Sequence, residues 1–448
     1  METIDLDHKL EYKGYWFLPS APDKKIAGIL TYYPNEKIIL ELLGCFDEYS
    51  WSILAETGEE AIISGKTSDG KDITLLNTFR SIRIKGGADF PIVRYTCDFL
   101  VIGTHVKGLD DKRNYWATAR IPELTLWCQP KALNTTMFFG KNKTIERINV
   151  SFSTKFRSRK DVISRINVSD NTAIIIKKGV RYNGDHLAPE IEQYSYLEIR
   201  KKDKASIKEI LADIFMFEQF LSFAMLSVVK CSKITLFDKN KYQQIENTRF
   251  YREIHIIHAF TERNNLQSPS LKAFRHLFDY NAIKDVYPAI LKKWYNEPIE
   301  LAPIRSHLIS SLEKKQSYSS VDFLIIIQAL EGFCRRFRCS RYRKENGLPE
   351  RDYSDLIAMM GSLLSEFGDI ELITKCEIDK DAVVDSRNYY SHFMPKQRDK
   401  KVFDGIELYE LTIRLRILLI CCTLNLFGFT NERINEILNE SGSKVLEL

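Results

Sequence analysis

Along this chain of 448 residues the spacing of apolar positions changes character near Lys201. From about Gly14 to Leu197 apolar residues come in short or alternating runs broken by Gly, Pro, Asn and Asp, as in Ile38-Ile39-Leu40-Glu41-Leu42-Leu43-Gly44. A period of two between breaker residues is the pattern of strands. Ser68-Asp69-Gly70-Lys71-Asp72, set between Ile62-Ile63 and Ile73-Thr74-Leu75, is a hairpin signal, and Trp16, Trp51, Trp116 and Trp127 supply bulk for a core. The pattern predicts an antiparallel β-rich domain over residues 1–205, sandwich-like or a curled sheet.

Beyond Lys201 the period becomes helical. Ile207 to Leu226 carries apolar residues at helical spacing and Ser270 to Trp294 continues in the same vein, so 206–319 is predicted to be a mostly helical connecting region. Val228 to Phe237 reads as a strand that would wrap back on the N-terminal domain. From Ser320 four amphipathic helices follow. The first sets Phe323, Ile327, Leu330, Cys334 and Phe337 on one face, and the second Leu356, Met360, Leu363 and Phe367. A third covers about Glu371 to Tyr390, and a fourth, Ile406 to Phe427, is apolar enough to be central. Residues 320–448 thus read as a four-helix bundle, and the chain as an α+β multidomain protein.

Composition adds limits. With 44% hydrophobic and 28% charged residues the chain reads as an ordinary folded protein, which excludes disordered and fibrous classes. The net charge of +5 is small for this length and unevenly placed. Residues 320–448 hold 18 Lys and Arg against 21 Asp and Glu, and the remainder holds 47 against 39. Nine cysteines, including adjacent Cys421 and Cys422, show no Cys-x-x-Cys spacing and read as buried, reduced thiols. Met1-Glu2-Thr3-Ile4-Asp5-Leu6-Asp7 lacks the apolar core of a secretory leader, and Ile417 to Leu424 is too short to span a bilayer. The expectation is a cytoplasmic protein with no membrane partner. Gly65-Lys66-Thr67 resembles the end of a phosphate-binding loop, but Glu60 stands where that loop requires glycine, and the reading fails.

The candidate chemistry lies in Arg387-Asn388-Tyr389-Tyr390-Ser391-His392, near the end of the predicted third helix. An arginine supplies a fixed cation for a phosphate, and a histidine exchanges a proton near neutral pH. Similar spacings occur at Arg181 to His186, Arg249 to His255 and Arg252 to His258. The first reads as a hairpin tip around Asn183-Gly184, and the overlapping second and third as the solvated face of a helix. On a continuous helix two residues five apart are offset by about 140°, so the helix is expected to end or loosen here, as Pro395 suggests, or a second copy to complete the site. In such a cleft His392 would take the proton of a ribose 2′-hydroxyl while Arg387 neutralises charge on the attacked phosphate, a mechanism that needs no metal and no cofactor. Asn388 and Asp385 would orient the pair, or serve as helix caps. Six basic residues lie between Cys334 and Lys344, namely Arg335, Arg336, Arg338, Arg341, Arg343 and Lys344, and would steer RNA to the cleft; the plainer use of such residues is to face the carbonyls at a helix end. Lys155-Phe156-Arg157-Ser158-Arg159-Lys160 is a second, weaker basic stretch.

The Arg-x4-His segment between the third and fourth helices, with Gln328-Ala329-Leu330-Glu331 in the first, resembles a HEPN ribonuclease domain of the ApeA type. Gly14-Tyr15-Trp16-Phe17-Leu18-Pro19, Gly28-Ile29-Leu30-Thr31, Gly65-Lys66-Thr67 and Thr74-Leu75-Leu76 resemble the β-rich domain that precedes it in ApeA-like proteins. The resemblance implies an RNA-cleaving enzyme of bacterial anti-phage defence by abortive infection, and a homodimer through the HEPN domain, with higher oligomers allowed. It also implies RNA as substrate, transfer RNA included, and a phage-derived activator. Its catalytic pair falls on Arg387 and His392, its polar position on Asn388 and its acidic position on Glu331. Two other readings stay open: a non-catalytic nucleotide- or RNA-binding scaffold, and an interaction protein in which Arg387 and His392 are a buried structural pair.

Overall fold

The computed structural model describes residues 8–34, 36–46, 59–83, 92–113, 115–140, 144–151, 161–183, 187, 190–246, 248–258, 276–297, 299–312, 319–338, 355–393, 395 and 399–441. Trp51, His186, the basic stretch 155–160 and three of the basic residues, Arg341, Arg343 and Lys344, lie outside the described residues. The chain divides into two compact units, neither contiguous in sequence. One comprises 1–217 with 230–270, the other 218–229 with 271–448.

In the first unit the alternating runs become β1 (Leu10–Phe17), β2 (Ile26–Tyr32), β3 (Ile38–Leu43), β4 (Glu59–Thr67), β5 (Asp72–Arg83) and β6 (Ile92–Ile102). They pair antiparallel in the order β6-β3-β2-β1-β4-β5, and β5 pairs again with β6, which closes the ring. The expected antiparallel β-rich domain forms, its curled sheet closing as a six-stranded barrel. Inward positions fill the interior, among them Trp16, Leu30, Leu40, Leu42, Ile63, Leu75 and Tyr95. The β4–β5 hairpin turns at Gly70, where φ is +80°, as the Asp-Gly signal predicts.

Trp16 sets the sequence around it. A Cβ on Gly65 would clash with Cε3 and Cζ3 of its indole ring, and one on Gly28 would lie 2.6 Å from the Glu41 carbonyl oxygen, 2.8 Å from Leu42 Cδ2 and 2.9 Å from Trp16 Cδ1. Gly65-Lys66-Thr67 is therefore the end of a barrel strand whose glycine makes room for a fully buried tryptophan.

β6 leaves β3 after Cys97 and carries the sheet onward to β14 (Thr248–His258). From there the order runs through β13 (Lys233–Ile245), β7 (Tyr115–Arg120), β12 (Glu190–Lys201) and β11 (Thr172–Asn183) to β10 (Val162–Asn167). β11 and β12 close toward a hairpin with Asn183 opposite Glu190. A short helix, α1 (Pro122–Cys128), packs on β12, and β8 (Asn134–Phe139) and β9 (Ile145–Ser151) form a separate hairpin.

Two expectations for 206–319 change here. The strand expected at Val228 to Phe237 does return to the N-terminal sheet, but it is longer and has a partner, so β13 and β14 replace much of the predicted helix. The segment Arg249 to His258 is strand, not the exposed face of a helix. Its recurrence of polar residues every third position is overridden by strand pairing with β13 and β6, with Ile254, His255, Ile256 and Ile257 buried while Arg249, Phe250 and Arg252 are exposed. His255 sits 3.3 Å from Thr235 Oγ1. Burial, reinforced by Lys233 and Lys71, lowers its pKa to about 4 even though a Glu253 oxygen lies 3.5 Å away.

Helix α2 (Ile207–Met225) begins in the first unit and ends in the second. In the second unit Phe220, Phe223, Phe278, Tyr287, Trp294 and Phe427 form an aromatic core contributed partly by α4 (Tyr287–Tyr295), which follows the single-turn α3 (Tyr280–Ile283). After α5 (Ala302–Ser311) come the bundle helices α6 (Ser320–Phe333) and α7 (Leu356–Glu366). The expected third helix is broken into α8 (Glu371–Lys375) and α9 (Lys380–His392), because Asp379 caps α9 by accepting from the amides of Asp381 and Ala382. The central helix is α10 (Gly405–Leu426), buried from Ile417 to Leu424, and α11 (Asn431–Ser441) is an addition the apolar pattern did not announce. α6 packs on α5, α9 and α10.

The barrel and its sheet generate two expectations for measurement. Gly65→Ala is expected to destabilise the chain by about 2 kcal/mol through overpacking. In a Trp16→Ala background the same change should be close to neutral, so urea unfolding of the four-member mutant cycle reads the coupling directly. His255 is neutral in the fold with its pKa below the free value, so its contribution is present above about pH 6.5 and is lost as pH falls toward about 4. Stability measured across that window should decline less steeply in His255→Gln than in the parent.

Candidate functional site

The last turn of α9 carries the Arg-x4-His segment. The helix stays regular through His392 and ends at Phe393, whose φ of +51° and ψ of +37° are left-handed. Glycine or asparagine usually occupies that position, because a side chain there costs about 1 kcal/mol or more. Phe393 is nevertheless 90% exposed.

The helical offset between Arg387 and His392 is bridged by the arginine's long stem. Arg387 Nη1 lies 2.9 Å from His392 Nε2 and 3.1 Å from Asn388 Oδ1, while Nη2 lies 3.4 Å from Glu331 Oε1 on α6. One guanidinium thus joins four of the five residues assigned to catalysis and its support. A guanidinium has donors and no acceptor, so it donates to Nε2. In this arrangement the imidazole is neutral, with its lone pair on Nε2 and its proton on Nδ1. Glu331 and Arg387 are partly shielded from water, with side-chain exposures of 14% and 27%, whereas His392 is open.

Asp385 does something else. Its Oδ2 accepts from the Lys401 amide at 2.9 Å and its Oδ1 lies 3.2 Å from Lys400 Nζ, so it holds the returning segment 399–404 against α9 instead of orienting the pair. The same segment is tied by the Phe403 amide donating to Ser386 Oγ at 3.0 Å, by Lys401 Nζ to Asp379 at 2.8 Å, and by the Tyr390 hydroxyl donating to the Phe403 carbonyl at 3.1 Å. Burial and the nearby Asp404 carboxylate push the Tyr390 phenol up to about 12, so it remains a donor through the physiological range. Ser386 and Lys401 carry no motif that would single them out, and Asp379 lay inside the expected third helix, although an aspartate ahead of a helical run is the kind of signal that marks a helix start.

Arg335, Arg336 and Arg338 lie in a π-helical turn, Cys334–Arg338, that closes α6. Arg335 and Arg336 are exposed. Arg338 is not: its Nε lies 2.9 and 3.1 Å from the two Glu366 oxygens, its Nη2 donates to Asn425 Oδ1 at 2.8 Å, and its guanidinium stands over Phe333. It ties the end of α6 to α7 and α10, and a phosphate contact would have to break that arrangement.

A β-barrel with an added sheet, together with a helical bundle that displays an arginine-histidine pair at an exposed helix end, defines a two-part protein. Two family models match the chain. The family model described as ApeA N-terminal domain 1 matches residues 11–294, and the one described as Apea-like HEPN matches residues 324–433. The chain belongs to the ApeA family, with an ApeA N-terminal domain and an ApeA-like HEPN domain. No curated protein and no solved structure gave a match. No helix among the described residues is long and apolar enough to cross a membrane.

The anchoring of segment 399–404 is directly testable. Ser386→Ala leaves the Phe403 amide without its acceptor and should cost about 1 kcal/mol in thermal unfolding. Hydrogen exchange at the Phe403 amide should accelerate, with little change in the core amides of α10.

Proposed function

We propose that the chain is a metal-independent endoribonuclease acting in bacterial anti-phage defence by abortive infection. The observation that carries the reading is the 2.9 Å contact between Arg387 Nη1 and His392 Nε2 at an open helix end, within a HEPN domain. A phosphate arriving at Arg387 competes with His392 for the guanidinium's N–H groups. Once Arg387 turns to the phosphate, the Nε2 lone pair is released to take the proton of the neighbouring ribose 2′-hydroxyl. The 2′-oxygen attacks phosphorus, the bond to the 5′-oxygen breaks, and the products are a 2′,3′-cyclic phosphate and a 5′-hydroxyl. Water, or the same histidine on a second copy, protonates the leaving 5′-oxygen. Arg387 stabilises the charge that builds on the phosphate oxygens, and Glu331 keeps the guanidinium from wandering into solvent. Asn388 accepts from Nη1 and limits its rotation.

A homodimer through the helical domain would align two such pairs along one cleft and supply that second histidine. Among the described residues of the basic stretch, Arg335 and Arg336, rather than Arg338, are exposed for RNA contact on this reading. The mild negative balance of 320–448 makes these local cations, and the more basic remainder of the chain, the sources of attraction for RNA.

The test is cleavage and toxicity together. Bacteria overexpressing the wild type should stop growing and yield discrete RNA fragments, while Arg387→Ala and His392→Ala at equal soluble levels should do neither. With purified protein each change should lower cleavage by at least about a hundredfold, and substrates with a 2′-deoxy nucleotide at the cut should resist. If, after phage challenge, all three chains still behave alike and RNA is bound but intact, the non-catalytic scaffold replaces this reading.

A further inference from the structure

The last helical residue of α9 is a site residue, and the next residue is the most exposed large apolar side chain among the described residues: Phe393, at 90%. It occupies a left-handed position that suits glycine, and it presents an aromatic ring to solvent. Folding explains neither choice, since a glycine at this position would close the helix with less strain and expose no ring. From Phe393, and resting on the ribonuclease reading, we infer that its ring is the stacking seat for an unpaired base flanking the attacked phosphate.

Attack by the 2′-oxygen requires that oxygen, the phosphorus and the 5′-oxygen to lie nearly in line. A stacked A-form helix holds them far from that line, so the two nucleotides flanking the phosphate must splay apart. Splaying exposes a base, and an aromatic ring beside the catalytic histidine offers that base a new face. Phe393 is adjacent in the chain to His392, its Cα about 3.8 Å from that of the histidine, so a phosphate held by Arg387 has a flanking base within the ring's reach. Arg387 holds the phosphate, His392 takes the proton, and Phe393 holds the nucleotide open. Tyr389 and Tyr390, the other aromatics of the segment, are engaged with one another at 4.9 Å, and Tyr390 is anchored through its hydroxyl, which leaves Phe393 as the ring facing outward.

The experiment uses the full chain carrying His392→Ala, so that RNA is bound but not cut, with a fluorescent single-stranded RNA about 12 nucleotides long, within the span of a typical single-strand site, and a blunt duplex of the same sequence. Adding Phe393→Gly should leave the melting temperature unchanged or raised and the molecular mass in solution unchanged. It should also weaken single-strand binding by about five- to a hundredfold, the usual effect of losing one base-aromatic stack, with duplex binding unaltered. Phe393→Trp should restore affinity, and the emission it adds over the five native tryptophans, read as the difference from the parent, should be quenched by the single strand and not by the duplex. Equal affinity of the glycine variant and its parent, a parent that binds no single strand, or a glycine variant whose defect is a change of oligomeric mass would each overturn the inference. Failure of the ribonuclease reading looks different: single-strand binding that depends on Phe393, in a chain that cleaves nothing with His392 intact.

Discussion

A guanidinium can donate hydrogen bonds and cannot accept them, and the site depends on that asymmetry. Because Arg387 faces Glu331, Asn388 and His392 together, each of the three must present an acceptor to it. For the carboxylate and the amide oxygen this is routine. For histidine it selects one tautomer and one protonation state, with Nε2 bare. On the proposed ribonuclease reading the arginine thus prepares the base and also covers it, and a substrate phosphate is the kind of group that can relieve the covering by offering better acceptors.

The surroundings of α9 follow from the need to hold that arrangement at a helix end, where structure normally frays. Capping by Asp379 starts the helix cleanly, and α6 contributes Glu331 from across the bundle interface. The returning segment is bonded to Asp379, Asp385, Ser386 and Tyr390 along one side of the helix. These polar contacts tie segment 399–404 along α9 from its cap to Tyr390, two residues before His392. Arg338 fills a similar structural role one element away, pinning the end of α6, and hence Glu331's helix, against α7 and α10.

How much of this was legible in the sequence depends on whether the information is local. Strand and helix textures are local, and the β-rich part and the bundle helices were readable from period alone. Barrel closure is not: β5 returning to β6 needs contacts that no alternation records, since inward positions of a barrel and of a sandwich share a period of two. The segment Arg249 to His258 misled because its first half is largely exposed and only Ile254 to Ile257 are buried on both faces, so no strand-like alternation marks it. The unit boundaries escaped because the chain crosses between units at 217–218, 229–230 and 270–271. Within the site, the pair and Glu331 could be found from spacing and resemblance, whereas the separation of Asp385 from the pair required knowing where Lys400 and Lys401 return. Arg338 could not be told from Arg335 and Arg336 by charge alone. Its partners Glu366 and Asn425 lie 28 and 87 residues further along.

One glycine pattern ties the two kinds of reading together. Gly14, Gly28 and Gly65 looked like pieces of sequence fingerprints, and one of them like a phosphate loop. In the barrel they converge on one physical requirement: Gly28 and Gly65 border the Trp16 ring, and a Cβ on Gly14 would collide with the Lys66 carbonyl across the β1–β4 pairing. Small residues that look functional by spacing are explained by the volume of a neighbouring tryptophan and the closeness of a paired strand. The reverse holds at the other end of the chain, where a left-handed helix terminus favours glycine on steric grounds and carries phenylalanine instead. Where packing dictates glycine and glycine is present, no function need be invoked. Where packing and backbone both favour glycine and a large exposed ring is present, the ring itself is what remains to be explained, and the residue before it is the histidine.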